Sequence, residues 1–259
     1  MKTQGEKVLP SVLILTPVKD ASRFLSRYVE LIEKLKWPKT QLSIGILESD
    51  SIDNTPNLLD SLRPRLLARA ERVNLMKRDF GFRIPAGLAR WDPAFQLARR
   101  AVLARSRNQL LFRALSNEDW VLWIDSDVID YPSDTIERLL SYGCDILQPH
   151  CVQEPNGTSF DRNAWASGGS RYMHDMRGDP SPVRLDSVGG TMLLVRADLH
   201  RDGLIFPAFR YGLESRLARQ SHPVWGAGEI ETEGLAMMAR DMGYQCWGLP
   251  DFEIIHASD

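Results

Sequence analysis

Two strand-then-helix units follow one another at the start of this chain, and they restrict its fold more than any other feature. "VLILTPV" (Val12 to Val18) is rich in β-formers and stops at Thr16-Pro17, after which Phe24, Tyr28, Leu31, Ile32 and Leu35 recur with a helical period. "LSIGILESD" (Leu42 to Asp50) reads as a second strand, and Asp53 stands where it can cap a helix carrying Leu58, Leu59 and Leu62. Successive βα units return the chain to the same end of a sheet each time, so parallel pairing is expected. Further along, Val73 to Gly81 reads as a third strand, followed by a turn around Pro85-Ala86-Gly87 and a long helix from Phe95 to Leu115 with apolar residues at Leu97, Ala101, Ala104, Leu111 and Leu115. Next come "WVLWIDSDVID" (Trp120 to Asp130), a helix over Ser133 to Tyr142 and a strand over Asp145 to Cys151. The stretch from Gln153 to Pro182 turns to Gly, Ser, Asn, Asp and Pro but keeps Phe160, Trp165, Tyr172 and Met173. It reads as a structured insertion of the length that carries function. "GGTMLLV" resumes a strand, Ile230 to Met242 forms a helix ended by Gly243, and "YQCWGLPDFEIIHA" closes the chain. At 259 residues this is one α/β unit: a single Rossmann-like domain with a mostly parallel central sheet flanked by helices.

Charge and composition remove several functions. A formal net charge of −2 lacks the surplus of Lys and Arg that a nucleic-acid partner needs against its phosphates. No stretch approaches the roughly 18 apolar residues of a membrane span. Lys2 and Lys7 ahead of Val8 to Val18 loosely mimic a secretory signal, but Pro10 interrupts the run and Lys19-Asp20 closes it, which suits a buried strand. Cys144, Cys151 and Cys246 are odd in number and show no metal-ligand spacing, so they read as reduced thiols. Asn156-Gly157-Thr158 is then a turn rather than a glycosylation site. The chain reads as cytoplasmic, with peripheral membrane association and homo-oligomer formation left open.

The chemistry concentrates where "WVLWI" meets Asp125-Ser126-Asp127. In open parallel sheets, ligands bind beyond the carboxyl ends of the strands. Strand alternation would put both carboxylates on one side, where they repel unless a cation sits between them. Mg²⁺ or Mn²⁺ suits hard oxygen ligands, and such ions usually share their coordination with phosphates. A sugar linked to a nucleoside diphosphate fits this need, because its leaving diphosphate must be stabilised as the bond breaks. A solvated Asp-x-Asp turn is the plainer alternative.

The segments "VLILTPVKDASRFLSRY", "GILESDSIDNT", "RDFGF", "ARRAVLARSRNQLL", "WVLWIDSDV", "FDRNAW", "DSVGGTMLLVRADLHRDGLIFP" and "EIETEGLAMMARDMGYQCWGLPDFEIIHA" occur in that order. Together they resemble the nucleotide-sugar transferases of the GT-A fold, and more narrowly the fungal mannan-polymerase family of Golgi α-mannosyltransferases, from Val12 to Ala257. The resemblance implies a single GT-A domain over residues 1–259. Its nucleotide-sugar-binding half would span about 11–150 and its acceptor half about 151–259, with the insertion 153–182 on the acceptor side. It implies metal-dependent, retaining transfer of mannose from GDP-mannose to a hydroxyl of a glycan or glycoconjugate acceptor, with Mn²⁺ or Mg²⁺. A UDP-sugar donor, or a non-catalytic subunit that binds nucleotide sugar or glycan, stays open beside it. Fungal members carry a membrane anchor and a luminal stem, whereas this chain begins almost at its first strand, as a soluble relative or a trimmed form.

By the same resemblance, Thr16, Pro17 and Lys19 leave the first strand where a GT-A domain holds its nucleotide. Glu48, Asp50 and Asp53 end the second, where carboxylates accept hydrogen bonds from a base edge or ribose, although Asp53 serves equally well as a helix cap. Arg107 and Asn108 match the family's Arg-Asn pair and are expected on diphosphate or ribose; Arg99, Arg100 and Arg105 on the same helix cannot all face one ligand. His256 matches the family's metal-binding histidine and would join Asp125 and Asp127. Glu229, Glu231 and Glu233 either answer a helix dipole or place Glu231 or Glu233 beside the acceptor hydroxyl, with Asp127 and Asp186 as further catalytic candidates. Gly189-Gly190 would let backbone approach the sugar, and Trp165, Tyr172 and Trp225 would stack on sugar faces or cover the core.

Overall fold

A computed structural model of the protein describes residues 9–85, 87–88, 92–212 and 228–258. Strands β1 (Val12–Val18), β2 (Leu42–Glu48), β3 (Arg72–Lys77) and β4 (Trp120–Ile124) pair in parallel in the order β3-β2-β1-β4. They are joined by α1 (Ser22–Lys34), α2 (Thr55–Arg69) and α3 (Pro93–Ala114). Because the chain moves to one side after β1 and returns to the other with β4, the strand order reverses between them. This is the crevice where open α/β sheets bind ligands. β1 runs two residues beyond Thr16. Pro17 is tolerated because Val18 O accepts from Ser49 N on the β2 side, so by alternation Pro17 faces the β4 side, where pairing stops at Leu15.

The other half completes the sheet in mixed directions. After the short β5 (Val128–Asp130) and α4 (Thr135–Ser141), β6 (Ile146–Val152) is separated from β4 by the antiparallel β10 (Met192–Arg196). Strand β11 (Cys246–His256) lies parallel to β6, and its register shifts between Leu249 and Glu253. That bulge divides β11 between two antiparallel neighbours, β9 (Val183–Leu185) at its start and β5 at its end. Among the described residues the sheet has nine strands, of which β5, β9 and β10 run against the rest. The insertion is structured, as expected, with a hairpin of β7 (Trp165–Ala166) and β8 (Arg171–Tyr172) that buries Ala166, Met173 and Met176. Helices α5 (Ala197–Arg201) and α6 (Glu231–Asp241) complete the helical layers.

Alternation along the strands sorts the core into two layers. Val12 and Ile14 of β1 and Leu122 and Ile124 of β4 face α1, α2 and α4, while Leu13, Leu15, Val121 and Trp123 face α3, α5 and α6. All eight are fully buried, so truncating any one to Ala would cost about 2–5 kcal/mol. Asp92 caps α3 by accepting from Ala94 N at 2.9 Å, with Pro93 in the first turn. The buried stripe of α3 is Arg100, Ala104, Arg107, Leu111 and Ala114, rotated from the apolar stripe that the sequence suggests; Leu97 is exposed instead. Two arginines, Arg100 and Arg107, stand at buried positions of this helix, which hides the true face from a hydrophobicity reading. No disulfide joins the three cysteines, and among the described residues no helix is long and apolar enough to cross a membrane.

Candidate active site

A cavity of about 390 Å³ opens at the β1/β4 switch point. Its floor is Pro17 to Ala21 at the end of β1 and just beyond it, Ser49 and Asp50 after β2, and Asp125 to Asp127 after β4. Arg23 and Phe24 of α1, Phe82 and Ile84 of the loop after β3, and Arg99, Val102, Leu103, Ser106 and Arg107 of α3 form its walls. Phe24 belongs to this wall rather than to the core stripe of α1, and the Arg23 guanidinium lies 4.5 Å above its ring.

Asp125 and Asp127 both reach the cavity, by a route that alternation does not describe. β4 ends at Ile124, and a turn closed by Val128 N on Asp125 O at 3.2 Å sends the two carboxylates apart. Asp125 goes to α3, where its Oδ1 accepts from Arg107 Nη2 at 3.1 Å. Asp127 meets His256, with 3.2 Å between Asp127 Oδ1 and His256 Nε2. The β5/β11 pairing makes this second contact, since His256 lies opposite Val128 and Ala257 N donates to Asp127 O at 2.9 Å. His256 Nδ1 donates to Ala257 O at 2.7 Å and the ring stacks on Phe160 at 3.8 Å, so Nε2 is aimed by both. Burial raises the Asp125 carboxyl to about 6 against the pull of Arg107, and Asp127 adds to the rise. Burial works to lower the His256 value, but Asp127 outweighs it and holds the imidazole above its ordinary value.

These donors are tested for a divalent cation by their chemistry and spacing. A carboxylate oxygen and an imidazole nitrogen 3.2 Å apart match the roughly 3 Å edge of an octahedron with bonds of about 2.1 Å. Asp125 offers a second carboxylate in the same cavity wall, about a quarter exposed. Among the described residues no three of His, Cys, Asp and Glu converge as a ready-made cage. The pair therefore fits an ion that takes its remaining ligands from phosphate and water, as Mg²⁺-type sites do.

The other expected residues divide by what already holds them. Pro17, Lys19 and Asp50 line the cavity. Lys19 Nζ donates to Asp50 O, and the Asp50 carboxylate accepts from Phe80 N and Gly81 N, each at 2.8 Å, which fastens the loop after β3. Thr16 does not reach the cavity: it is fully buried, with its hydroxyl 2.7 Å from that of Tyr28. Glu48 turns inward as well, accepting from Ser51 N at 3.0 Å. Asp53 stands one residue before Asn54, the α2 N-cap, and its two oxygens are taken by the first backbone N–H groups of α1 and α2, Ser22 N at 3.0 Å and Thr55 N at 2.9 Å. Burial opposes these bonds but they prevail, bringing its carboxyl to about 2. Asn108 spends both ends of its amide on Phe206, at 2.7 and 3.0 Å, and so docks the segment after α5.

Glu231 and Glu233 are held by arginines. Both are buried, and Arg100 donates to Glu231 Oε2 at 3.3 Å and to Glu233 Oε2 at 2.5 Å. Glu231 Oε1 also faces Arg107 Nε at 3.3 Å; burial alone would raise the Glu231 carboxyl, but Arg100 and Arg107 hold it below the ordinary range. Asp186 accepts from Gly168 N at 2.9 Å and anchors the insertion. The Gly189-Gly190 pair makes room for side chains rather than sugar. A Cβ on Gly189 would come within 1.8 Å of the Asp161 carboxylate, and one on Gly190 within 2.4 Å of Arg107 Nη2. Trp165 and Tyr172 face each other across the β7/β8 hairpin, away from the cavity lining, and Trp225 lies outside the described residues. Ser106, whose buried hydroxyl has no partner among the described residues, lines the cavity without being singled out by periodicity, and Asp161 accepts from the Thr191 hydroxyl at 3.1 Å beneath Gly189. The "FDRNAW" segment holds the only sequence signal for Asp161.

Comparison with known proteins adds kinship to this geometry. A family model described as Anp1 matches residues 1–176 and 170–210. The mannan polymerase complex subunit MNN9 of Candida albicans is 28% identical over 96% of this chain and 75% of its own length. Among solved structures, the mannosyltransferase PcManGT of Pyrobaculum calidifontis, in complex with GDP-Man and Mn²⁺, aligns with a TM-score of 0.58 at 15% identity, over 98% of this chain and 58% of that one. GalNAc-T7 with UDP, GalNAc and Mn²⁺ aligns with a TM-score of 0.60 at 12% identity, over 98% of this chain and 45% of that one. The chain thus spans less than two thirds of either solved chain, and these likenesses establish the GT-A fold.

Proposed function

The chain belongs to the Anp1 family, and from that membership we propose that it is a metal-dependent glycosyltransferase moving mannose from GDP-mannose to a hydroxyl of a glycan or glycoconjugate, with retention at the anomeric carbon. The observation that carries the reading is the Asp127–His256 pair beside Asp125 on the floor of the switch-point cavity. Relatives named as mannan polymerase subunits support a mannosyl donor, and the neighbour crystallised with GDP-Man and Mn²⁺ supports the metal and the guanine nucleotide.

In this reading Asp127, His256 and Asp125 hold Mn²⁺ or Mg²⁺. When bound, the ion would neutralise charge on the departing diphosphate. The chain's own residues do the rest. The Arg107 guanidinium, buried and fixed by Asp125 and by Gly190 O at 3.3 Å, keeps an Nη1 without a hydrogen-bond partner among the described residues and supplies a fixed donor for a phosphate or sugar oxygen. Phe24, Phe82 and Ile84 offer apolar surface to the nucleoside, while Lys19 and Asp50 brace the loops around it. With Glu231 and Glu233 consumed by arginines, the acceptor's proton passes to the leaving diphosphate on the same face of the sugar.

The test is a thermal-shift series with MnCl₂ and either GDP or UDP, followed by a transfer assay. Stabilisation by GDP with Mn²⁺ and turnover of GDP-mannose is expected. Stabilisation by UDP alone would move the donor to a UDP-sugar. Binding without turnover on a broad acceptor set would leave a non-catalytic subunit.

A further inference from the structure

We propose that Glu231 is a positioning residue for the metal-binding carboxylate Asp125, acting through Arg107; the inference rests on the function proposed above and assigns Glu231 a role distinct from acceptor catalysis. The observation behind it is a row of alternating charges, Asp125–Arg107–Glu231–Arg100–Glu233, that runs from the cavity floor to the first turn of α6. The four members behind Asp125 are each no more than 5% exposed. Charges are buried in this way only when each is paired, and burial makes their pairing geometry strict.

Arg107 occupies the decisive place in the row. Its Nη2 donates to a single oxygen of Asp125, Oδ1, while its Nε edge is turned to Glu231 Oε1. An arginine left to itself beside a carboxylate prefers the two-bond fork, one N–H to each oxygen. Glu231 Oε1, an ion-pair partner 3.3 Å from Nε without hydrogen-bond alignment, draws the Nε–Nη2 edge away from that fork, so Asp125 Oδ2 stays available on the cavity side. Remove the charge of Glu231 and the guanidinium is free to rotate onto both oxygens of Asp125, which takes that carboxylate out of cation binding.

The backbone supports a role beyond packing. Glu231 sits at φ +61°, in the left-handed region that side-chain-bearing residues rarely adopt, at the first residue of α6. From that position its carboxylate spans Arg100 on one side and Arg107 on the other. Glu233, two residues on, touches Arg100 but not the Arg107–Asp125 contact. Strain kept at such a point belongs to residues whose placement matters more than their comfort.

Glu231→Gln and Glu233→Gln separate the two possibilities, because each removes one carboxylate charge from the same buried row. Mn²⁺ uptake is read by electron paramagnetic resonance of the free ion, with GDP present, on wild type and both variants, alongside Tm. The expected result is a Tm drop for both variants, with the apparent Kd for Mn²⁺ raised at least tenfold in E231Q and less than threefold in E233Q. Should E231Q not fold, Glu231→Asp keeps the charge but withdraws it by one methylene, and a rise of at least threefold in Kd is expected. Equal Kd changes in the two Gln variants, or an unchanged Kd in E231Q or, where that variant does not fold, in E231D, would overturn the positioning role while leaving the transferase reading intact. A wild type that takes up no Mn²⁺ with GDP overturns both.

Discussion

Two polar clusters inside the molecule behave in opposite ways. The row from Asp125 to Glu233 is built of formal charges and ends on the cavity. The other cluster joins His150, Ser159 and His174: Ser159 Oγ lies 2.9 Å from His150 Nε2 and 3.0 Å from His174 Nδ1, and His150 Nδ1 donates to Pro250 O at 3.0 Å. It ties the insertion to β6 and β11, and burial, with Arg177 beside it, pulls His150 down to about 4, so the histidine at its centre is neutral. A neutral hub satisfies its hydrogen bonds at little electrostatic cost and does nothing but hold a loop. Full charges buried where an apolar stripe would pack better are the mark of a site that needs them.

The sharpest attempt to break this contrast is Asp127→Ala at the open end of the charged side. Turnover with Mn²⁺ is expected to fall by at least about 100-fold, as for loss of a metal ligand, while Tm moves by only a few degrees because the residue lies on the cavity floor. Full activity in a Mn²⁺ titration of the variant would strip the cavity of its metal.

Gly190→Ala attacks the same row from the backbone. The new methyl meets Arg107 Nη2, so a loss of about tenfold or more in kcat/KM is expected, with a stability loss of about 1–3 kcal/mol by denaturant titration. Normal activity would mean that the placement of Arg107 is not critical.

The neutral hub is tested by pH. Since His150 binds its proton more weakly in the folded protein than its ordinary 6.5, the unfolded chain takes up more protons between pH 6.5 and about 4. Its contribution is complete above 6.5 and is lost as pH falls through that window, about 3 kcal/mol in all. His150→Gln should flatten the pH dependence of unfolding free energy by that amount, and an unchanged slope would show the hub to be charged after all. Smallest of all, Asp53→Ala should cost about 1 kcal/mol as a lost cap without changing GDP affinity by isothermal titration. A marked loss of affinity would return Asp53 to the nucleotide.

Much of the scaffold was legible because strands and helices are written in local periodicity. β1, β2, β4, β6 and β11 fall within a few residues of their expected places, and the Asp125–Asp127 motif stands at the strand end where it was sought. Short partners of long strands were not legible. β5 and β9 have three residues each, too few for a pattern, and the antiparallel direction of β10 depends on neighbours rather than on its own residues. Several expected site residues share one structural feature. Thr16, Glu48, Asp53 and Asn108 stand near a strand end or a motif, and each side chain has a partner inside the fold that no local pattern records.

By itself the sequence determined the parallel βα framework, the switch-point crevice and the pair of aspartates at its floor, since apolar period and strand-end chemistry are properties of neighbouring residues. Only the tertiary structure decided which charges remain free. The bulge in β11 sets His256 against Asp127, and α6 delivers Glu231 to Arg107 across more than a hundred residues of chain. Ion pairs of that kind follow from the distance between side chains in space, and no local pattern records it.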